Sequence, residues 1–315
     1  MKRILSILTL LFILNACDDG NMTNATIDFS EVAAQKCSSK DVIYKTKGSE
    51  MLVLAIPATT FVNDETPADD PITLPISSTN QVIYRRYNGT VSADNICPTI
   101  PSATPDLTEQ WTASAGTIEI TTTAIYTTDA TTNATRITGY KHYIVFKNIT
   151  FQTPNGDQIY ETYVFGNYTT TATALAFGFD DQVDKSTCDD RIFNFNGSEA
   201  FILNVSDFST LFANEVTTTP RTAIINSVNK LSYRLYSSSV NDTYFCPTQS
   251  TPTLLQEWNA VDGITDISGI IEVSTTTFGT GFQHIIYLKK VTMKKDNSTF
   301  YLGDNILYGS FVTNP

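Results

Sequence analysis

Residues 81–87, QVIYRRY, alternate apolar and polar side chains, and residues 230–236, KLSYRLY, repeat this pattern. In both places a Cys-Pro-Thr triplet follows, and then a lone tryptophan. The matched landmarks are Tyr84 with Tyr233, Cys97 with Cys246, and Trp111 with Trp258. Because the matches keep a spacing of about 150 residues, each copy has the size of a domain and can bury its own core. The sequence therefore predicts an internal duplication.

Further landmarks extend the match along both copies in the same order. They are Cys37 with Cys188, Glu50 with Glu199, Phe61 with Phe212, Asn63 with Asn214, and His142 with His284. We predict one domain over residues 25–170 and a second over residues 174–315. A signal peptide over residues 1–16 and a tether over residues 17–24 precede them.

The apolar stretches predict strands, because their side chains alternate with a period of two in residues 81–87, 117–123 and 140–151. Hairpin turns are predicted at residues 154–157 and 296–298, which contain Asn and Asp. The predicted fold class is all-β, with two tandem homologous antiparallel β-sandwich domains after a lipoprotein signal peptide. Helix is expected only as one short segment beginning at Thr104-Pro105 and another at Thr251-Pro252, with proline in the first turn.

The N-terminus begins with Lys2 and Arg3 and continues with an apolar run from Ile4 to Leu14, a pattern typical of signal peptides. The run ends in Leu14-Asn15-Ala16-Cys17, which resembles a bacterial lipobox. That resemblance implies cleavage before Cys17 and lipid modification of this cysteine, such as palmitoylation, which would anchor the protein to a membrane. A plain secretory signal is the alternative interpretation.

Asp18-Asp19 follows the predicted lipidation site and resembles the acidic export signal of Bacteroidetes-type lipoproteins. This resemblance implies a lipid-anchored protein of the outer membrane that is exposed at the cell surface. In enteric-type bacteria an aspartate at this position would instead imply retention at the inner membrane. The resemblance implies no particular activity.

The charge of the chain limits its partners. The formal net charge is −12, and removal of residues 1–16 makes the chain more acidic, since this segment contains Lys2 and Arg3 but no acidic residue. A negative surface repels phosphate backbones, so nucleic acid is not an expected partner. The partners that we do expect are the membrane, through the lipid on Cys17, and a glycan or protein at the cell surface.

The five cysteines of the chain leave four after Cys17 is assigned to lipid, two in each copy at matching positions. Four cysteines allow three pairings. Duplication of an independently folding unit favours the disulfides Cys37–Cys97 and Cys188–Cys246, which suit an oxidising compartment. No metal or cofactor is expected, because no Cys-x-x-Cys spacing occurs and the chain has only two histidines.

Trp111 and Trp258 are candidate binding residues, since an exposed indole ring can stack on a sugar; a role in core packing is the favoured interpretation. His142 and His284 could act as acid–base groups or metal ligands. Each histidine lies among apolar neighbours in a predicted strand, which favours a structural role.

Glu50, Glu199, Arg85 and Arg234 are charged residues kept at matching positions. Two carboxylates across one sugar ring could support glycoside hydrolysis, whereas a strand-to-strand Glu–Arg pair explains the same pattern without catalysis. We favour the ion pair, because the sequence contains no recognised hydrolase or phosphate-binding motif.

Only the first copy carries an acidic loop, formed by Asp64, Glu65, Asp69 and Asp70 between residues 64 and 71. Clustered carboxylates can bind Ca²⁺, but their spacing matches no defined calcium loop, and a solvated acidic loop is the favoured interpretation.

The leading functional hypothesis is a non-enzymatic cell-surface lipoprotein that serves in binding or adhesion, or as an accessory component of an outer-membrane assembly. The alternatives are a glycan-acting enzyme with an acidic site and a structural spacer.

Overall fold

A computed structural model describes residues 26–245 and 251–314 of the chain. It contains 55% strand and 5% helix in two antiparallel sheets, which confirms the predicted all-β fold class. The predicted signal peptide (residues 1–16), the lipidation site Cys17, the tether (residues 17–24) and Cys246 lie outside the described residues.

The first repeat forms an eight-stranded sheet in the order β1-β2-β3-β5-β6-β7-β8, with β4 paired to β6. The strands are β1 (Gln35–Lys36), β2 (Val42–Lys47), β3 (Glu50–Ala55), β4 (Ile72–Pro75), β5 (Gln81–Tyr87), β6 (Leu107–Thr128), β7 (Thr135–Thr153) and β8 (Gly156–Thr171). The predicted turn at residues 154–157 is confirmed, since β7 ends at Thr153 and β8 begins at Gly156.

The second repeat forms a nine-stranded sheet in the order β12-β15-β16-β14-β13-β11-β10-β9, with β17 paired to β16. Its strands are β9 (Asp184–Lys185), β10 (Arg191–Asn196), β11 (Glu199–Asn204), β12 (Arg221–Ile224), β13 (Lys230–Tyr236), β14 (Leu254–Ala260), β15 (Ile270–Phe278), β16 (Gly281–Lys295) and β17 (Ser298–Thr313). The predicted turn after residue 295 is confirmed.

The two sheets repeat one another strand by strand. Strands β1 to β5 correspond to β9 to β13, and β7 and β8 correspond to β16 and β17. The single long strand β6 corresponds to two strands, β14 and β15. The register agrees as well: Tyr84 lies opposite Trp111 as Tyr233 lies opposite Trp258, and each ladder shifts register just before the last residue of β5 or β13.

The described residues contain little helix. There are three short 3-10 helices (Ala58–Thr60, Ala93–Asn95 and Asp242–Phe245) and one α-helix (Phe208–Leu211). The helices expected at Thr104-Pro105 and Thr251-Pro252 are absent from the described chain. Both peptide bonds are cis and lead into β6 and β14 instead. Backbone hydrogen bonds join Asn88 to Asp106 and Ser237 to Thr253, so tertiary pairing with the preceding strand overrides the local helix signal.

The chain divides into two compact units whose boundaries differ from the boundary between the repeats. Within the described chain, the first unit contains residues 26–58, Thr73–Glu119 and Ile144–Gly166. The second unit contains Thr59–Ile72, Ile120–Tyr143 and everything after Gly166. Three segments of the first repeat therefore belong to the same unit as the whole described second repeat.

Arg136 shows why one of these segments belongs to the second unit. Its guanidinium lies 4.4 Å from the ring centroid of Phe177 and 5.4 Å from that of Phe300, an arrangement in which cation–π attraction operates. Nearby, the Asn133 amide donates a hydrogen bond of 2.6 Å to Asp304. These contacts hold the β6–β7 turn of the first repeat against strand β17.

The central strands β3 and β11 are buried on both faces, since four consecutive residues of β3 and five of β11 are inaccessible. In the first unit, one face packs in a cluster formed by Cys37, Tyr44, Met51, Val53, Tyr87, Val91 and Ile96. The second repeat has the equivalent cluster of Phe193, Ala200, Ile202, Tyr236, Val240 and Phe245. Burial of each large apolar side chain contributes about 1.5–3 kcal/mol, which makes these double-sided strands the centre of each sheet.

The predicted disulfide Cys37–Cys97 is confirmed, with a sulfur–sulfur distance of 2.02 Å and a sequence separation of 60 residues. Cys188 is also disulfide-bonded. Because its predicted partner Cys246 lies outside the described residues, the pairing Cys188–Cys246 stays a prediction.

Replacement of both Cys37 and Cys97 by alanine should lower the free energy of unfolding by about 4 kcal/mol, because the unfolded chain regains the entropy of a loop of about 60 residues. Urea denaturation of the wild type and of the double variant measures this difference. An unchanged unfolding midpoint for the first unit would contradict the stabilising role of the bridge.

Candidate functional site

His142 is completely buried and lies at the centre of a hydrogen-bonded chain of side chains. Its Nδ1 lies 2.9 Å from the Thr122 hydroxyl and its Nε2 lies 2.9 Å from the Thr170 hydroxyl. Thr170 in turn donates a hydrogen bond of 2.6 Å to Oδ1 of Asn63. The rings of Phe61 and Tyr168 pack against the imidazole at centroid distances of 5.1 and 6.0 Å.

The second repeat contains the same arrangement around His284, which is also completely buried. Nδ1 lies 2.9 Å from the hydroxyl of Thr275, Nε2 lies 2.9 Å from that of Thr313, and Thr313 donates to Asn214. We refer to these two sets, Thr122-His142-Thr170-Asn63 and Thr275-His284-Thr313-Asn214, as the histidine relays. The repeat landmarks at Phe, Asn and His positions therefore converge on one site in each repeat.

The relays define the tautomer of each histidine. The Thr170 hydroxyl has a single proton, which it donates to Asn63, so it must accept a hydrogen bond from Nε2 of His142. The unprotonated Nδ1 then accepts from Thr122. The same direction holds in the second repeat, where Arg221 donates a hydrogen bond of 3.0 Å to the Thr275 hydroxyl. Each relay is complete with a neutral imidazole.

Burial lowers the pKa of His142 from 6.5 to about 4. Burial also lowers the pKa of His284 to about 4, with a further contribution from the nearby positive charge of Arg221. Neither imidazole is poised to exchange a proton near neutral pH. Both histidines therefore have the structural role that the sequence favours. Neither ring faces solvent, as an acid–base role would require.

The free energy of unfolding should fall as the pH is lowered from about 6.5 to about 4. In this window the unfolded histidines bind protons that the folded ones do not, so the stabilisation is complete above the unfolded pKa and is lost below it. Urea denaturation at several pH values tests this expectation. A variant with His142→Gln and His284→Gln should show a shallower dependence above pH 5, and an unchanged slope would contradict the assignment.

Asp64 of the predicted acidic loop is anchored, which corrects the expectation of a solvated loop. Its carboxylate accepts hydrogen bonds from the backbone N–H of Asn297 at 3.1 Å and of Ser298 at 2.9 Å, and from the Ser298 hydroxyl at 2.6 Å. The neighbouring N–H of Glu65 donates to the same hydroxyl oxygen, and the Glu65 carboxylate accepts from the N–H of Ala124. A carboxylate of the first repeat thus closes the β16–β17 hairpin turn of the second.

Asp69 and Asp70 lie farther along the loop and are exposed. Their carboxylates make no hydrogen bond or ion pair with the described residues. Within residues 26–245 and 251–314, no group of three or more His, Cys, Asp or Glu side chains is arranged to hold a metal ion. The four carboxylates of this loop are therefore divided between two that are anchored and two that face solvent.

Replacement of Asp64 by alanine should destabilise the β16–β17 turn, since hydrogen bonds to a charged acceptor contribute about 1.5–3 kcal/mol. Hydrogen exchange at the amides of Asn297 and Ser298 measures the effect directly and should become faster. Asp69→Ala is the matched control, because Asp69 lies in the same loop without a contact to the turn. Equal exchange in the two variants would contradict the anchoring role.

The glutamates kept in both copies accept hydrogen bonds from tyrosines and do not pair with Arg85 or Arg234, so the arginine partners expected for them are wrong. A strand-to-strand Glu–Arg pair does form in the first copy, between Glu50 and Arg86 at 3.3 Å. Tyr84 donates a hydrogen bond of 2.5 Å to Glu50, and Tyr233 donates to Glu199. Glu50 lies opposite Arg86 in the ladder, and the alternation of side chains places Arg85 on the other face. Burial, reinforced by these glutamates, raises the pKa of both tyrosines.

Neither candidate tryptophan offers a ring face to solvent. Trp111 is 3% and Trp258 is 4% exposed, and each indole N–H donates to a side chain two residues earlier, Glu109 or Gln256. Trp111 contacts Tyr84, and Trp258 contacts Phe300, at centroid distances of 4.8 and 5.0 Å. The core-packing interpretation is confirmed for both.

Within the second unit, residues of both repeats line a cleft of about 290 Å³. We refer to it as the inter-repeat cleft. Its polar side chains are those of Asn63, Gln256 and Lys295, the buried rings of Tyr140 and Trp258 lie beneath them, and Val62 and Leu255 form an exposed apolar rim. Trp258 and Asn63 are recognisable in the sequence as repeat landmarks, whereas no local pattern distinguishes Tyr140, Gln256 and Lys295.

The inter-repeat cleft is suited to binding a polar, uncharged ligand. Asn63 is oriented by two hydrogen bonds, with Thr170 and with the carbonyl of Thr171. Gln256 uses its carbonyl oxygen for Trp258, and its amide N–H groups make no hydrogen bond to the described residues. Lys295 lies 6.0 Å from the Trp258 ring centroid and pairs with Asp296 at 3.0 Å. Amide donors beside apolar walls are typical of ligand-binding pockets.

The cleft does not combine two carboxylates. Glu50 and Glu119 belong to the first unit, and Glu199 and Glu272 belong to the second. In the second unit Glu199 is engaged by Tyr233, whereas Glu272 pairs with Lys289 at 2.6 Å. The geometry required for a glycosidase, two acids facing one ligand, is not formed by these residues.

No protein-family model matches this chain, and no curated protein or solved structure is detectably similar to it. Among the described residues, no helix is both long enough and apolar enough to span a membrane.

Proposed function

We propose that the protein is a lipid-anchored lipoprotein of the outer membrane, exposed at the cell surface, that acts by binding rather than by catalysis. The observation that carries the proposal is the use of the shared polar residues. In both repeats the histidine completes a buried relay, and the glutamate accepts a hydrogen bond from a core tyrosine. Side chains committed in this way stabilise the fold and leave recognition to the surface.

The cysteines support export and anchoring. Cys37–Cys97 forms a disulfide and Cys188 is disulfide-bonded, as expected in an oxidising compartment. Cys17 has no counterpart in the second copy and follows an apolar segment that resembles a signal peptide ending in a lipobox. Lipid attached to Cys17 would hold the mature chain on the membrane, since two or more acyl chains anchor a protein stably.

The inter-repeat cleft is the proposed site of recognition. It is formed by residues of both copies, and its amides and apolar rim suit a glycan or a protein loop. A role as an accessory component of an outer-membrane assembly uses the same anchor and the same surface.

Cys17→Ser should abolish lipid labelling and release the protein from the membrane fraction. Metabolic labelling with a palmitate analogue and fractionation of expressing cells measure both effects. The variant D18N/D19N is the matched control: it should keep the lipid and the membrane association but lose accessibility to protease added outside intact cells. Full membrane association of the Cys17→Ser variant would overturn the anchoring part of the proposal.

A further inference from the structure

The outer face of the second sheet carries an open groove of about 270 Å³ whose charge contrasts with that of the whole chain. It is lined by Arg191, Asn204, Lys230, Ser232, Arg234 and Asn259, with Glu257 beside Arg234. Lys230, Ser232 and Arg234 point to this face because they alternate along β13 with the buried residues Leu231, Tyr233 and Leu235. Three cations thus lie around one groove in a chain of net charge −12.

Two of the three cations are already paired. Arg191 lies 2.6 Å from Asp189, and Arg234 lies 2.7 Å from Glu257. Lys230 is exposed and makes no ion pair or hydrogen bond with any described side chain. Lys294 is opposite Asn259 in the β14–β16 ladder, so its side chain emerges on the same face, and it is equally unpaired within the described chain. The groove therefore has one uncompensated positive charge, at Lys230, and a second lies beside it on the same face, at Lys294.

Uncommitted hydrogen-bonding groups lie beside these charges. The side chains of Asn204, Ser232 and Asn259 make no hydrogen bond to the described residues. Asn204 lies opposite Lys230, and Ser232 lies opposite Asn259, so the amides and the hydroxyl form two adjacent rows across the sheet. A ligand with carboxylates and hydroxyls would satisfy both kinds of group, since hydrogen bonds between ionised partners are the strongest ones.

The corresponding positions of the first sheet lack this character. Where the second sheet pairs Asn204 with Lys230, the first pairs Ala55 with Gln81. Where the second pairs Ser232 with Asn259, the first pairs Ile83 with Thr112. The fold does not require charge at these positions, because the first copy folds the same strands without it. The groove is a property that only the second repeat has.

We infer that this groove binds an anionic polysaccharide, with sugar carboxylates at Lys230 and Lys294 and sugar hydroxyls at the asparagines and Ser232. The inference rests on the proposed binding role and adds to it a second site, separate from the inter-repeat cleft, with its own ligand class. No aromatic ring lines the groove, so it offers no platform on which nucleic-acid bases could stack.

The test uses full-length lipidated protein in detergent and polygalacturonate as the probe, with affinity measured by gel retardation at low and at physiological salt. The wild type should be retarded, and the variant K230Q/K294Q should bind at least tenfold more weakly. The control K36Q/K141Q changes the net charge equally at exposed lysines elsewhere and should bind like the wild type. Retardation should decrease as salt screens the charges.

Three further probes identify the ligand class. Neutral dextran should not be retained. Retention of dextran sulfate through the same lysines would identify sulfate as the preferred anion of the same groove. A single-stranded oligothymidylate that bound as tightly as polygalacturonate would overturn the polysaccharide assignment. Equal binding by the wild type and K230Q/K294Q would overturn the groove but leave the proposed binding role standing. Failure of the wild type to retain any polymer would overturn the inference itself, whereas membrane anchoring is decided separately by the Cys17 variant.

Discussion

The buried imidazole in each repeat imposes a constraint that the surrounding structure satisfies. A neutral histidine removed from water needs a donor on one side and an acceptor on the other, because an unpaired buried nitrogen is costly. In the first repeat these partners come from β6 and β8, and Asn63 links them to the loop before β4. One side chain therefore joins four segments that are distant in sequence, and the same arrangement around His284 joins their counterparts.

This constraint helps to explain why the compact units do not follow the repeats. The relay around His142 ties the loop at Asn63 to the far ends of β6, β7 and β8, and all of these segments belong to the second unit. Asp64 follows Asn63 directly and closes the β16–β17 turn. The loop at Asn63 and Asp64 is thus held by two contacts. Asn63 belongs to the relay of its own repeat, and Asp64 bonds to a turn of the second repeat. The two repeats form similar sheets. Residues that the copies do not share, such as Asp64, connect segments of the first repeat to the second.

The duplication made part of the site predictable from the sequence. Phe61, Asn63 and His142 were recognisable as landmarks because they recur, and the structure brings them together. The threonines of the relays were not, because threonine is common in every strand of this chain. The partners of Glu50 were not predictable in this way: Glu50 contacts Tyr84 and Arg86, whereas Arg85 lies between them in the sequence and points to the opposite face. The acidic loop was misread since nothing local reveals that Asp64 meets a turn more than 200 residues away.

By itself, the sequence determined the strand content, the hairpin turns, the duplication and the Cys37–Cys97 bridge, because alternation, turn residues and repeated spacing are local or periodic signals. Only the tertiary structure decided which residues share a compact unit, which carboxylate meets which donor, and where unpaired lysines gather on one face of the second sheet. Those properties depend on strand register and on contacts between distant segments, and a shift of one residue in register would turn each of these side chains to the other face of its sheet.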